Sequence, residues 1–95
     1  MYDALFEDEE DIFGGSPRSK FMDVIYNANR NIAQGELQRL IERMAAMELL
    51  LSKTMDEETL ERTLKQVQFE EADAVNDIAK SLYIESMGNV LSQSE

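Results

Sequence analysis

Two apolar pairs, Leu5-Phe6 and Ile12-Phe13, stand either side of an unbroken acidic run: Glu7, Asp8, Glu9, Glu10 and Asp11. Tyr2 precedes them, and no lysine or arginine interrupts the segment. Large hydrophobes spaced among carboxylates cannot build a core alone, but they can fill a groove on another protein. The chemistry these residues suit is therefore recognition. Wound as a helix, the segment would carry Tyr2, Leu5/Phe6, Glu9 and Ile12/Phe13 on one face. Leu5, Phe6, Ile12 and Phe13 would be its buried anchors, and the acids would steer it toward an apolar groove with a basic rim. The competing expectation is docking in cis, with the acids against Arg18, Arg30 or Arg39.

Bond-making chemistry finds little to work with. The chain has no cysteine and no histidine, which removes thiolate nucleophiles, most zinc sites and most acid–base catalysis. Ser16, Ser19, Ser52 and Ser81 have no histidine to activate them. Gly14-Gly15 has neither the spacing nor the lysine of a phosphate-binding loop. Glu70, Glu71, Asp73 and Asp77 are neighbouring acids in the C-terminal half. Neighbours one and two apart on a helix point in different directions, so only Glu70, Asp73 and Asp77 share a face, as a solvated stripe. Glu48 and Glu71 both fall near apolar stripes, but in a hairpin turning near Met55 they would sit about 14 Å apart, too far to share a metal ion. The expectation is a non-enzyme without metal or cofactor.

Ninety-five residues make one small domain, close to the size at which a single core barely suffices, so self-association is expected. Twenty acids oppose nine bases, for a formal charge of −11. Free nucleic acid is excluded as a ligand, since phosphate contacts need clustered lysine and arginine. A basic protein surface is permitted. The alternative function is inhibition by mimicry, with the acidic third segment occupying a DNA- or RNA-binding site. No secretory signal and no apolar run of membrane-spanning length is present, so a cytoplasmic location is expected.

These groups would be carried by helices. Ser16-Pro17 is a helix start, with serine as cap and proline in the first turn. Phe21, Ile25, Ala28 and Ile32 then recur at helical spacing up to Gly35, which either ends the helix or sits inside a longer one. A second run carries Leu37, Leu40, Ile41, Met44, Met47 and Leu51. Ser52 to Met55 is the next break, and Thr54 with Glu57 has capping-box spacing. From Asp56 to Leu91 there is no proline and no glycine before Gly88, and the apolar stripe is Leu60, Leu64, Val67, Val75, Ile78 and Leu82. Unbroken, that segment would be about 54 Å long, matching residues 17–53 taken together.

The predicted fold is all-α: a long antiparallel helical hairpin over residues 16–95, its first arm continuous or broken at Gly35, preceded by the acidic–aromatic tail of residues 1–15. Residues 17–53 carry six bases and four acids, and residues 56–91 three bases and nine acids, a bias that favours antiparallel pairing. Two helices cannot cover so many hydrophobes, so the hairpin is expected to dimerise into a bundle or coiled coil. The expected interface comprises Leu37, Leu40, Ile41, Met44, Leu50 and Leu51 on one arm, and Leu64, Val67, Glu71, Val75, Ile78 and Leu82 on the other. Glu71 falls at the centre of the second stripe, either buried and paired or turned out to solvent. Phe69 and Met87 suggest a second apolar surface. The functional expectation is a protein–protein interaction module: an adaptor, assembly factor or chaperone-like protein.

Overall fold

Pro17 pre-sets the backbone of a first helical turn, and Ser16 before it accepts from the Ser19 N–H at 3.0 Å. The computed structural model describes residues 15–93, and every regular element among them is a helix. They are α1 Pro17–Asn27, α2 Arg30–Ser52, α3 Glu57–Glu70 and α4 Ala72–Gln93. The recognition segment Tyr2 to Phe13 lies outside the described residues. Ser16 is buried as well as capping. Ser16→Ala should therefore lower stability by about 1 kcal/mol, read as a shift in urea midpoint without a change in slope.

The first break comes at Ala28-Asn29 rather than at Gly35. Ala28 is extended, and the Asn29 side chain accepts from the Asn31 N–H at 2.9 Å to start α2. Asn27 closes α1 from the other side, its amide donating to the Asp23 carbonyl at 2.8 Å. Short amide side chains compete with the helix for backbone partners, and two of them flanking Ala28 outweigh one glycine. Gly35 is in the middle of α2, and a Cβ built there would meet nothing within 4 Å. Gly35→Ala should accordingly raise stability by about 0.5–1 kcal/mol in a thermal or urea melt. A loss instead would show that another surface approaches this glycine closely.

The turn after α2 falls where expected, with a different cap. The Met55 and Thr54 N–H groups donate to the Leu51 carbonyl at 2.9 and 3.0 Å. Thr54 uses its hydroxyl on that same carbonyl, so it closes α2 instead of opening α3. Asp56, one residue before α3, takes the cap and accepts from the Thr59 N–H at 2.7 Å. Hydrogen bonding from Thr59 holds the Asp56 carboxyl below the usual carboxylate range.

The expected single helix over residues 56–91 is two. Glu71 leaves the helical region, with φ −118° and ψ 39°. Its N–H still donates to the Val67 carbonyl, and its own carbonyl accepts from Val75, so the bend is confined to one residue. Residues 57–93 as one straight rod would run about 55 Å. The longest dimension of the described chain is 42 Å, so the bend is sharp.

The bend decides the architecture. α1 packs along α4, where the Phe21 and Tyr83 rings lie 5.3 Å apart. α2 and α3 touch beside the turn, and α2 meets α4 around Glu36 and Ser86. In a straight hairpin Glu36 would face residues near 72. Contact with Ser86 therefore means that α2, α3 and the first half of α4 enclose an open triangle, with sides of roughly 20–25 Å. The radius of gyration is 15.6 Å. A close-packed domain of this length would have about 12 Å. Among the described residues only Phe21, Leu60 and Val90 are buried hydrophobes.

Candidate protein-interaction site

The best-buried group of side chains is polar. Glu36 on α2 is 1% exposed and sits where α2 crosses α4. The Arg39 guanidinium grips it by two bonds, Nε to Oε1 at 3.0 Å and Nη2 to Oε2 at 2.7 Å. The Ser86 hydroxyl and the Asn89 amide on α4 donate to the same carboxylate. Arg39 also reaches Glu85 of α4, 3.8 Å away. These donors, Arg39 foremost, hold the Glu36 carboxyl below its ordinary value against the opposing effect of burial. The arrangement is a clasp: one carboxylate satisfied from two helices. Val90 and Ser86 are buried beside it, so the clasp closes the triangle at its third corner.

Sequence reasoning passed over this clasp and offered Arg39 only as one of three arginines the acidic tail could meet in the competing cis-docked arrangement. Glu36 and Arg39 are three apart and of opposite charge, a common surface pair that by itself signals nothing. The legible trace was on α4, where Ser86 and Asn89 interrupt the apolar series Tyr83, Met87 and Val90.

The expected interface residues do not cover one another within the chain. On α2, Leu37, Ile41, Met44, Leu50 and Leu51 are exposed, Ile41 by 62%, and Leu40 is half-buried. On α3 Leu64 is exposed and Val67 half-buried, and on α4 Ile78 and Leu82 are exposed and Val75 half-buried. Glu71 is exposed at the bend, so of its two expected states the described chain shows the solvent-facing one. Phe69 is 85% exposed. Glu70 ends α3 while Asp73 and Asp77 belong to α4, so the acidic stripe expected along one straight helix is bent within its first turn.

At the turn corner a groove of 410 Å³ opens between Ala45, Leu49 and Ser52 of α2 and Leu60 of α3, with Met55 at its end. Glu48, Glu57 and Glu61 line its edge. Among the described residues no three carboxylates gather to hold a metal ion. No helix among them is long and apolar enough to cross a membrane.

The family described as "Domain of unknown function (DUF2018)" matches this chain over residues 13–95. The chain belongs to the DUF2018 family. The DUF2018 match takes in all four helices, the clasp and the turn-corner groove, and of the N-terminal anchors it includes Phe13. No curated protein and no solved structure matches the chain.

Proposed function

We propose that this DUF2018 chain is a non-enzymatic, cytoplasmic protein–protein interaction module of the adaptor, assembly-factor or chaperone-like kind. It works as a homodimer whose helical body carries the acidic–aromatic segment to a partner. The observation behind the reading is the uncovered stripe Leu37–Ile41–Met44 on α2, with Leu64 of α3 and Ile78 and Leu82 of α4 exposed as well. The three buried hydrophobes among the described residues are too few for a domain of this size. Each fully buried large side chain contributes about 1.5–3 kcal/mol, against conformational entropy on the order of 1–2 kcal/mol for every ordered residue. A second copy laid against the α2 stripe supplies the missing layer by an isologous contact. The straight hairpin of the expected dimer is replaced here by a bent frame, and the interface residues remain those of the two stripes.

Sedimentation equilibrium across micromolar concentrations tests the body of the proposal. The expected mass is twice 10.9 kDa, and a well-folded monomer at every concentration overturns the dimer. The N-terminal segment is tested by capture from native lysate with the full chain and with a Phe6→Ala/Phe13→Ala variant. If these are anchors, each contributes roughly 2 kcal/mol or more. The double variant should then lose its partner almost completely while keeping its sedimentation mass. Unchanged capture would remove the segment from the mechanism.

A further inference from the structure

The turn-corner groove has a composition that selects its occupant. Its floor is apolar: Leu60 is buried, Met55 is half-buried, and Leu49 stands 63% exposed at its lip. Its rim is acidic from both helices, with Glu48 on α2 and Glu57 and Glu61 on α3. Asp56 and Glu58 add two more negative charges beside it, against Lys53 in the turn and Arg62 and Lys65 on α3. We propose that this groove docks a basic amphipathic helix of another protein, taking its apolar face onto Leu49, Met55 and Leu60 and its lysines or arginines onto Glu48, Glu57 and Glu61.

Charge separates this occupant from the two others the chain could offer. The N-terminal segment of residues 1–15 carries six acids and no lysine or arginine, and would be repelled by the same rim. A second copy placed here by a two-fold axis would bring Glu48, Glu57 and Glu61 against the same acids of its partner, since an isologous contact repeats one patch on both sides. Leu49 also lies about a third of a turn around α2 from the Leu37–Ile41–Met44 stripe, so Leu49 and the α3 side of the groove stay open when that stripe is covered, although Glu48 lies in line with it. An apolar floor with a single-sign rim is the pattern that receives an amphipathic helix of the opposite charge. The inference does not depend on the dimer or on the N-terminal anchors.

The test uses the full chain and a fluorescein-labelled synthetic 18-residue helix of leucine and lysine, read by anisotropy. Its counterpart of leucine and glutamate serves as the reference peptide. The lysine peptide should bind saturably and more weakly as salt rises, and the glutamate peptide should not bind. Leu49→Asp and the double change Glu57→Lys/Glu61→Lys should each weaken binding tenfold or more. The charge-matched change Glu70→Lys/Asp77→Lys, away from the groove, should leave it within twofold. All of these positions are exposed, and circular dichroism confirms that each variant folds. Equal weakening by both double variants would reduce the binding to bulk electrostatics and overturn the proposal. Loss of the dimer in Leu49→Asp would assign the groove to a second copy. Tighter binding on Phe6→Ala/Phe13→Ala would assign it to the chain's own N-terminal segment. Either assignment, or no binding of the lysine peptide, overturns it too.

Discussion

Glu36→Ala should lower the unfolding free energy by about 3 kcal/mol, on the scale of charge-assisted hydrogen bonds lost together with the partners they leave behind. That is a large share of the roughly 5–10 kcal/mol available to a domain of this size. The side chain is buried, and it satisfies donors from both α2 and α4, so its removal strands Ser86 and Asn89 and leaves the α2–α4 corner with little else to hold it. Glu36→Gln keeps the shape and one acceptor oxygen, and should cost about half as much. The pH dependence follows from the direction of the shift. The folded carboxyl titrates below its ordinary value of 4.5, so its contribution is complete above that value and is lost as pH falls through the lower, folded-state value. Urea midpoints of the natural chain and Glu36→Gln, at one protein concentration, should therefore stay far apart at neutral pH and converge only as pH falls below 4.5 and through the lower folded-state value. A Glu36→Ala loss under about 0.5 kcal/mol, the size of an ordinary surface change, would show that the clasp does not hold the corner.

Ile41→Asp should convert the proposed dimer to a monomer. In the single chain Ile41 is 62% exposed, so an aspartate there should change intrinsic stability by no more than about 0.5 kcal/mol. Inside a two-fold interface the same change acts twice. Each copy forfeits about 1.5–3 kcal/mol of apolar burial and gains an uncompensated charge. The dissociation constant should rise by at least about a hundredfold, which at micromolar concentration reads as a halved sedimentation mass. The thermal midpoint should also fall and become independent of protein concentration, because a monomer has no mass-action support. An unchanged mass would take the α2 stripe out of the interface and leave the exposed Leu64–Ile78–Leu82 side as the remaining candidate.

The helix start at Ser16-Pro17, the turn after Ser52 and the all-helical class were legible because each rests on neighbours in the chain. A serine cap, a proline in the first turn and apolar residues every three or four positions act locally. The break at Ala28-Asn29 and the cap at Asp56 escaped the sequence for equally local reasons, while Gly35 took the second of its two expected places, inside a longer helix. Gly35 permits a helix break without requiring one, and the Asn27 and Asn29 side chains offered stronger alternatives seven residues earlier. Thr54 and Asp56 both suit the cap of α3, and Asp56 holds it from the position next to the helix.

The bend at Glu71 and the burial of Glu36 belong to another level. No proline, glycine or capping sequence marks Glu71. A continuous helix would carry its carboxylate into the apolar stripe, whereas a bend there leaves it in water and folds α4 back toward α2. Glu36 looks like any surface acid until Ser86 and Asn89 arrive from the other end of the chain to satisfy it. Periodicity and capping are properties of adjacent residues, so they set which stretches become helices and which faces are apolar. The angle between two helices, and the choice of which carboxylate is desolvated, depend on free-energy differences between distant partners that no local pattern encodes.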